Sequence, residues 1–207
     1  MGKVLTRPGL GGLLVLLVAF VIGCGGDDSS GGDGSSTAAE TSTGNTTSTT
    51  AEPEPVTQAE FAKEADELCK SKTDEIARTL TESDKAQKAA STEETLSSEK
   101  SVETAANKVA DITDELADLK NEVTNQLAKL EAPDQKELDA LVKSREMAAK
   151  DLNDLADAWR AYGKNPTQAT VDDITAAQES NVKSAGADRN IAEKIGLKVC
   201  GAAVKPA

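Results

Sequence analysis

Residues 57–207 predict an all-α fold, an antiparallel up-down-up-down bundle of four helices, and three observations carry that expectation. Ala, Leu, Lys, Glu and Asp dominate the stretch while Gly and Pro are scarce, so summed propensity favours helix. Apolar residues recur at steps of three and four, the period of a helix with one buried stripe. Short segments with capping residues, Pro or Gly separate the periodic runs, and short connections make consecutive helices antiparallel neighbours.

The elements follow in order. Thr57-Gln58-Ala59-Glu60 spells a capping box, in which the threonine accepts a backbone amide and the glutamate reaches back. Phe61, Ala65, Leu68, Ile76 and Leu80 then recur at helical spacing, which predicts a first helix from 58 to the low 80s, with 84–90 also compatible with helix. Ser91-Thr92-Glu93-Glu94 is a second capping box and opens a long second helix. Its seam is Val102, Ala105, Val109, Ile112, Leu116, Leu119 and Val123, a spacing that averages 3.5 residues, as in a coiled coil. Gln126 takes the next slot, flanked by Leu127 and Leu130, and Pro133 stops the helix because the residue before proline is pushed out of the helical region.

Asp134-Gln135-Lys136-Glu137 starts the third helix, whose seam runs Leu138, Leu141, Arg145, Ala148, Leu152, Leu155, Trp159, Tyr162; Gly163-Lys164-Asn165-Pro166 ends it. The fourth begins near Thr167 or Thr170 and carries Val171, Ile174, Ala177, Val182, Ala185, Ala192 and Ile195, with Gly196 as the left-handed terminating residue. Asp172-Asp173 falls in its first turn, where acids suit the helix dipole, and Gly186 inside it is expected to permit close helix approach. The competing arrangement is an extended, dimeric hairpin of the second and third helices, since the second reads as the longer of the two.

Ahead of this domain the composition changes twice. Residues 25–56 are Gly, Ser, Thr, Asp, Glu and Pro with few apolar groups, too little apolar surface to fold. They read as a disordered linker of 32 residues, with a root-mean-square reach of roughly 30 Å, and the Thr/Ser run around 41–50 is a place for sugars. Residues 1–23 read as a signal peptide: Lys3 and Arg7 supply the positive region and Leu10 to Ile22 an apolar run of 13 residues, short of the roughly 20 needed to span a bilayer.

The apolar run ends in Val21-Ile22-Gly23-Cys24: a branched apolar residue, a tolerant position, a small residue and cysteine. This resembles the lipobox of bacterial lipoproteins over the first 24 residues. The resemblance implies a diacylglyceryl thioether on Cys24, cleavage before it and a chain held on the outer side of a cell membrane or envelope by palmitate-type acyl groups, two or three of which anchor stably. The lipobox, polar linker, early cysteine and Gly196-Leu197-Lys198-Val199-Cys200-Gly201 ending together also look like small uncharacterised lipoproteins of actinobacterial type, which implies no activity.

With Cys24 taken by lipid, Cys69 and Cys200 remain as a pair, and outside the cytoplasm they can oxidise. In a bundle with an even number of helices, the start of the first and the end of the fourth share one pole. Cys69 lies about 18 Å into its helix at 1.5 Å per residue, and the tail Leu197–Cys200 can fold back to it. The alternative is two reduced, buried cysteines. A catalytic redox pair is not expected without Cys-x-x-Cys.

The formal net charge is −13 from 23 basic and 36 acidic residues, and loss of Lys3 and Arg7 makes the balance more acidic still. A nucleic-acid partner is therefore not expected, because phosphates need basic groups. Histidine is absent, which removes the commonest general base and transition-metal ligand and with it a Ser-His-Asp triad. No zinc, calcium-loop or phosphate-loop spacing occurs, so neither a cofactor nor a metal is expected, and the chain does not read as an enzyme. The residues left as contacts for a ligand or partner are Arg145, Trp159 and Tyr162, although Trp159 and Tyr162 on the seam read first as core residues with the indole N–H and phenol O–H at a wet end. Arg145 is expected at the seam's edge, its stem on apolar surface and its head in water, with a buried ion pair as the alternative. The functional expectation is a non-catalytic interaction or structural role in the cell envelope. The alternative is a lipid-tethered receptor for a small solute, which would need an aromatic-lined pocket.

Overall fold

The computed structural model describes residues 55–202 and 204. The signal segment, Cys24 and most of the linker lie outside them. Four long helices and one short one follow: α1 Gln58–Ala90, α2 Glu93–Leu96, α3 Glu99–Leu127, α4 Gln135–Lys164 and α5 Gln168–Lys194. α1 packs on α3, α3 on α4 and α4 on α5, while α1 and α5 make no close backbone approach. Cross-helix pairs run in opposite directions along each contact. Lys72 bridges Glu122 while Thr79 meets Glu115, and Arg145 pairs with Asp188 while Asp151 accepts from Ser180. The four long helices are thus antiparallel to their neighbours, the expected up-down-up-down order.

The ends of the elements are local chemistry. At Thr57 the capping box closes in both directions, the backbone N–H donating to Glu60 at 3.0 Å and the side chain accepting from Glu60 N. The Thr57 backbone N–H and its hydroxyl both donate to the Glu60 carboxylate and hold it below its ordinary range. Asp134 and Thr167 cap α4 and α5. α5 ends in a Schellman motif: Leu197 N donates to Ala192 O at 2.9 Å and Gly196 N to Glu193 O at 3.0 Å, with Gly196 at φ +80°.

Three local expectations are corrected. α1 continues unbroken to Ala90, and the second capping box opens only the one-turn α2, through Thr92 and Thr95. The long α3 starts later, capped by Ser98, and ends at Leu127, ahead of Pro133, so that α3 and α4 have near-equal lengths of 29 and 30 residues. Because α5 begins at Gln168, Asp172 and Asp173 lie past its first turn, where Gln168 donates to Asp172.

The inner helices bury broad faces because each touches two neighbours. Between them stand small residues, Ala106, Ala110, Ala149 and Ala156, all nearly inaccessible. Gly163 is the close-approach glycine: a Cβ there would lie 3.0 Å from Ala106 Cβ and 3.3 Å from Glu103 Cα. Gly186, expected in that role, has nothing within 4 Å of such a Cβ. The apolar core falls into three groups along the axis. One end gathers Trp159, Tyr162, Val102 and Ile174 with Ala86 and Ala90. A small middle group holds Leu80, Leu116 and Leu152. The other end gathers Phe61, Leu127, Leu138 and Leu141 with Leu197 and Cys200 of the tail.

Candidate functional site

The chemistry-bearing side chains meet at the end where α1 begins and α5 ends. Cys69 and Cys200 form a disulfide with Cα atoms 5.3 Å apart, closing a separation of 131 residues. The Schellman motif turns the chain back, so the tail runs from Leu197 along the seam that α1 and α5 leave between them. Asp66, one turn before Cys69, receives the tail's backbone. Its Oδ1 accepts from Val199 N at 2.8 Å and Cys200 N at 3.1 Å, and its Oδ2 from Lys198 N at 3.0 Å. Further along, Val204 packs beside Ile76 against the middle core group. Gln58 closes the same pole by donating to Ile195 O at 2.6 Å, satisfying a carbonyl that the end of a helix leaves open.

Beneath the tail lies Arg145, 6 % exposed, and its expected place at the wet edge is corrected. Nε donates to Asp188 Oδ1 at 3.1 Å, Nη2 to Cys200 O at 2.8 Å, and Nη1 approaches Cys69 Sγ at 3.8 Å. Lys120 of α3 stands 3.6 Å from Asp188 Oδ2. Two cations therefore share one carboxylate. Burial pushes the Lys120 ammonium below its ordinary range; Asp188 pulls the other way and Arg145 adds to the depression.

This cluster explains why α5 presents a polar core face. Asn181, Ser184 and Asp188 are buried, whereas Val182, expected in the core, is 39 % exposed. The apolar pattern of α5 could not reveal that face, since one of its inward side chains, Asp188, answers a guanidinium on another helix. Asn181, Ser184 and Asp188 at helical spacing were the available signal. Asp66 was missed because its partners are backbone amides and leave no trace in side-chain spacing.

Trp159 and Tyr162 lie at the opposite end, 6 % and 5 % exposed, with ring centroids 6.0 Å apart and planes perpendicular. The rings are buried in the core, as their place on the seam predicts. Trp159 Nε1 is, among the described residues, a buried donor with no hydrogen-bond partner. The three candidate contacts thus divide, with Arg145 joining the disulfide and the two aromatics standing apart from it.

Among the described residues no group of three or more His, Cys, Asp or Glu side chains gathers to hold a metal, and no helix is long and apolar enough to cross a membrane. A cleft of about 10 Å³ between Gln58, Phe61 and Leu138 has room for about one water. No protein-family model, curated protein or solved structure matches this chain.

Proposed function

We propose that the chain is a lipid-anchored, extracytoplasmic protein that acts without catalysis, offering the outer faces of its helical bundle to another envelope protein. The observation that carries this reading is the inward engagement of Arg145, Trp159 and Tyr162, which leaves the acidic outer faces of the helices as the surface for contact. The Cys69–Cys200 bond supports an oxidising compartment, in line with the lipobox-like Val21-Ile22-Gly23-Cys24. Acyl chains on Cys24 would hold the protein to the membrane, and the polar linker would let the domain range above it.

In-cell cross-linking of the tethered protein, read by mass spectrometry, tests both halves. The expected result is a recurrent protein neighbour joined through exposed helix faces, together with an N-terminal peptide carrying acyl groups on Cys24. An unmodified Cys24 peptide would remove the anchor, and cross-links no more frequent than to bystander proteins would remove the partner.

A further inference from the structure

We infer that residues 198–202 form a releasable strap latched by the Cys69–Cys200 disulfide, and that reducing this bond uncovers Arg145 as a binding group for a carboxylate. The inference rests on the geometry of the seam and stands independently of the anchoring and partner reading above.

The strap occupies a place that no helix contact fills. α1 holds to α3, α3 to α4 and α4 to α5, but α1 and α5 do not approach each other closely. The tail lies between them, touching Asp66 of α1 through three backbone amides and α4 through the bond from Arg145 to Cys200 O. Its apolar anchorage lies at its root, where Leu197 is buried in the core, while Val199 and Val204 are only partly buried. The three helix contacts that form the body do not involve it. Once the covalent bond opens, the segment beyond Leu197 is held by Asp66 and Arg145 and can leave while Leu197 keeps its place in the core.

Departure of the strap changes the electrostatics beneath it. Arg145 loses Cys200 O and keeps Asp188, which Lys120 also approaches. Arg145 and Lys120 then face the opened seam beside Asp188, and Asp66, released from the strap's three amides, faces it from α1. A guanidinium with free parallel N–H groups binds carboxylates in two-point fashion, so the ligand class is a carboxylate that replaces the Cys200 carbonyl.

The redox step requires a dithiol reductant. Its thiolate attacks one sulfur of the Cys69–Cys200 bond and forms a mixed disulfide, and its second thiol resolves that intermediate. Two electrons pass to the protein, two protons end on Cys69 and Cys200, and the reductant leaves as a disulfide.

The test is hydrogen exchange by mass spectrometry on the full chain, oxidised and after dithiothreitol, with far-ultraviolet circular dichroism in parallel. Peptides covering 198–202 should exchange at least tenfold faster after reduction while those of α3 and α4 keep their protection and helicity is retained. A calorimetric titration with succinate should detect binding to the reduced protein and none to the oxidised one. Arg145→Met should abolish that binding, and Arg145→Lys, which keeps the charge and has the better chance of folding, should weaken it at least threefold. Equal exchange of the strap in both thiol states, loss of helicity on reduction, or no succinate binding by the reduced protein would each overturn the inference, as would succinate binding that is indifferent to Arg145→Lys.

Discussion

The two poles of this bundle are closed by different physics. At the aromatic pole, Trp159 and Tyr162 stack edge to face among Val102, Ile174, Ala86 and Ala90, and short peptides connect α1 to α3 and α4 to α5. Side-chain packing suffices there, because those connections hold the helix ends together at little entropic cost. At the other pole the first and last helices stand apart with no connecting peptide, and the tail joins them. A disulfide, a buried guanidinium–carboxylate pair and a carboxylate that collects three backbone amides do the closing. The lesson concerns sequence distance: the cost of bringing two segments together grows with the loop between them, and the strongest and most directional bonds sit where that loop is longest.

The largest expected effect breaks the latched pole. The double substitution Cys69→Ser, Cys200→Ser should cost about 5 kcal/mol in the chain-entropy treatment of a loop this long, measured by urea unfolding of oxidised protein. A loss below about 1 kcal/mol would mean that the noncovalent contacts alone fasten the tail. At the aromatic pole, Trp159→Ala should cost about 4 kcal/mol through the cavity it leaves. Trp159→Phe should cost under about 1.5 kcal/mol, because the indole N–H it deletes has no partner to lose. Equal losses for the two variants would point to a hydrogen bond at Nε1.

Next comes the charge pair. Arg145→Met should cost about 3 kcal/mol, since it strands Asp188 and the Cys200 carbonyl, and adding Asp188→Leu should recover part of that loss. A double variant worse than the single by the full cost of Asp188→Leu would show the two residues acting independently. The smallest effect belongs to Lys120→Met. Burial lowers the Lys120 pKa in the folded protein, so the unfolded chain binds that proton more tightly. The parent should therefore gain stability as pH rises from the depressed folded value towards the ordinary lysine value of about 10.4. The difference between variant and parent should shrink over that alkaline window. A difference that is flat with pH would place the ammonium in water.

Much of the fold was legible before any coordinates. Thr57 and Glu60, the eight-residue seam of α4 and the terminating Gly196 all read correctly because their causes lie within a few residues along the chain. Errors cluster where local signals compete or where the partner is distant. Thr92 is a good cap, yet the chain uses it for one turn only and restarts at Ser98. Val182 and Asn181 are neighbours on one helix, and choosing which of them faces inward required knowing that Asp188, two turns further on, answers Arg145 on α4. Of the candidate site, the Cys69–Cys200 pairing followed from cysteine number and helix parity. The roles of Asp66 and Lys120 did not, because nothing in their local spacing sets them apart from the many exposed acids and lysines around them.

The amino-acid sequence by itself determined the helical class, the number of long helices, their alternating direction and the pole shared by the start of α1 and the end of α5. These depend on propensity, period and connection length, all of which act over a few turns. Only the tertiary structure decided that α1 and α5 stay apart, that the tail fills the space between them, and that Arg145 is buried there against Asp188 and the Cys200 carbonyl. A buried charge is tolerated only where partners from other segments surround it, and no local pattern encodes which segments those are.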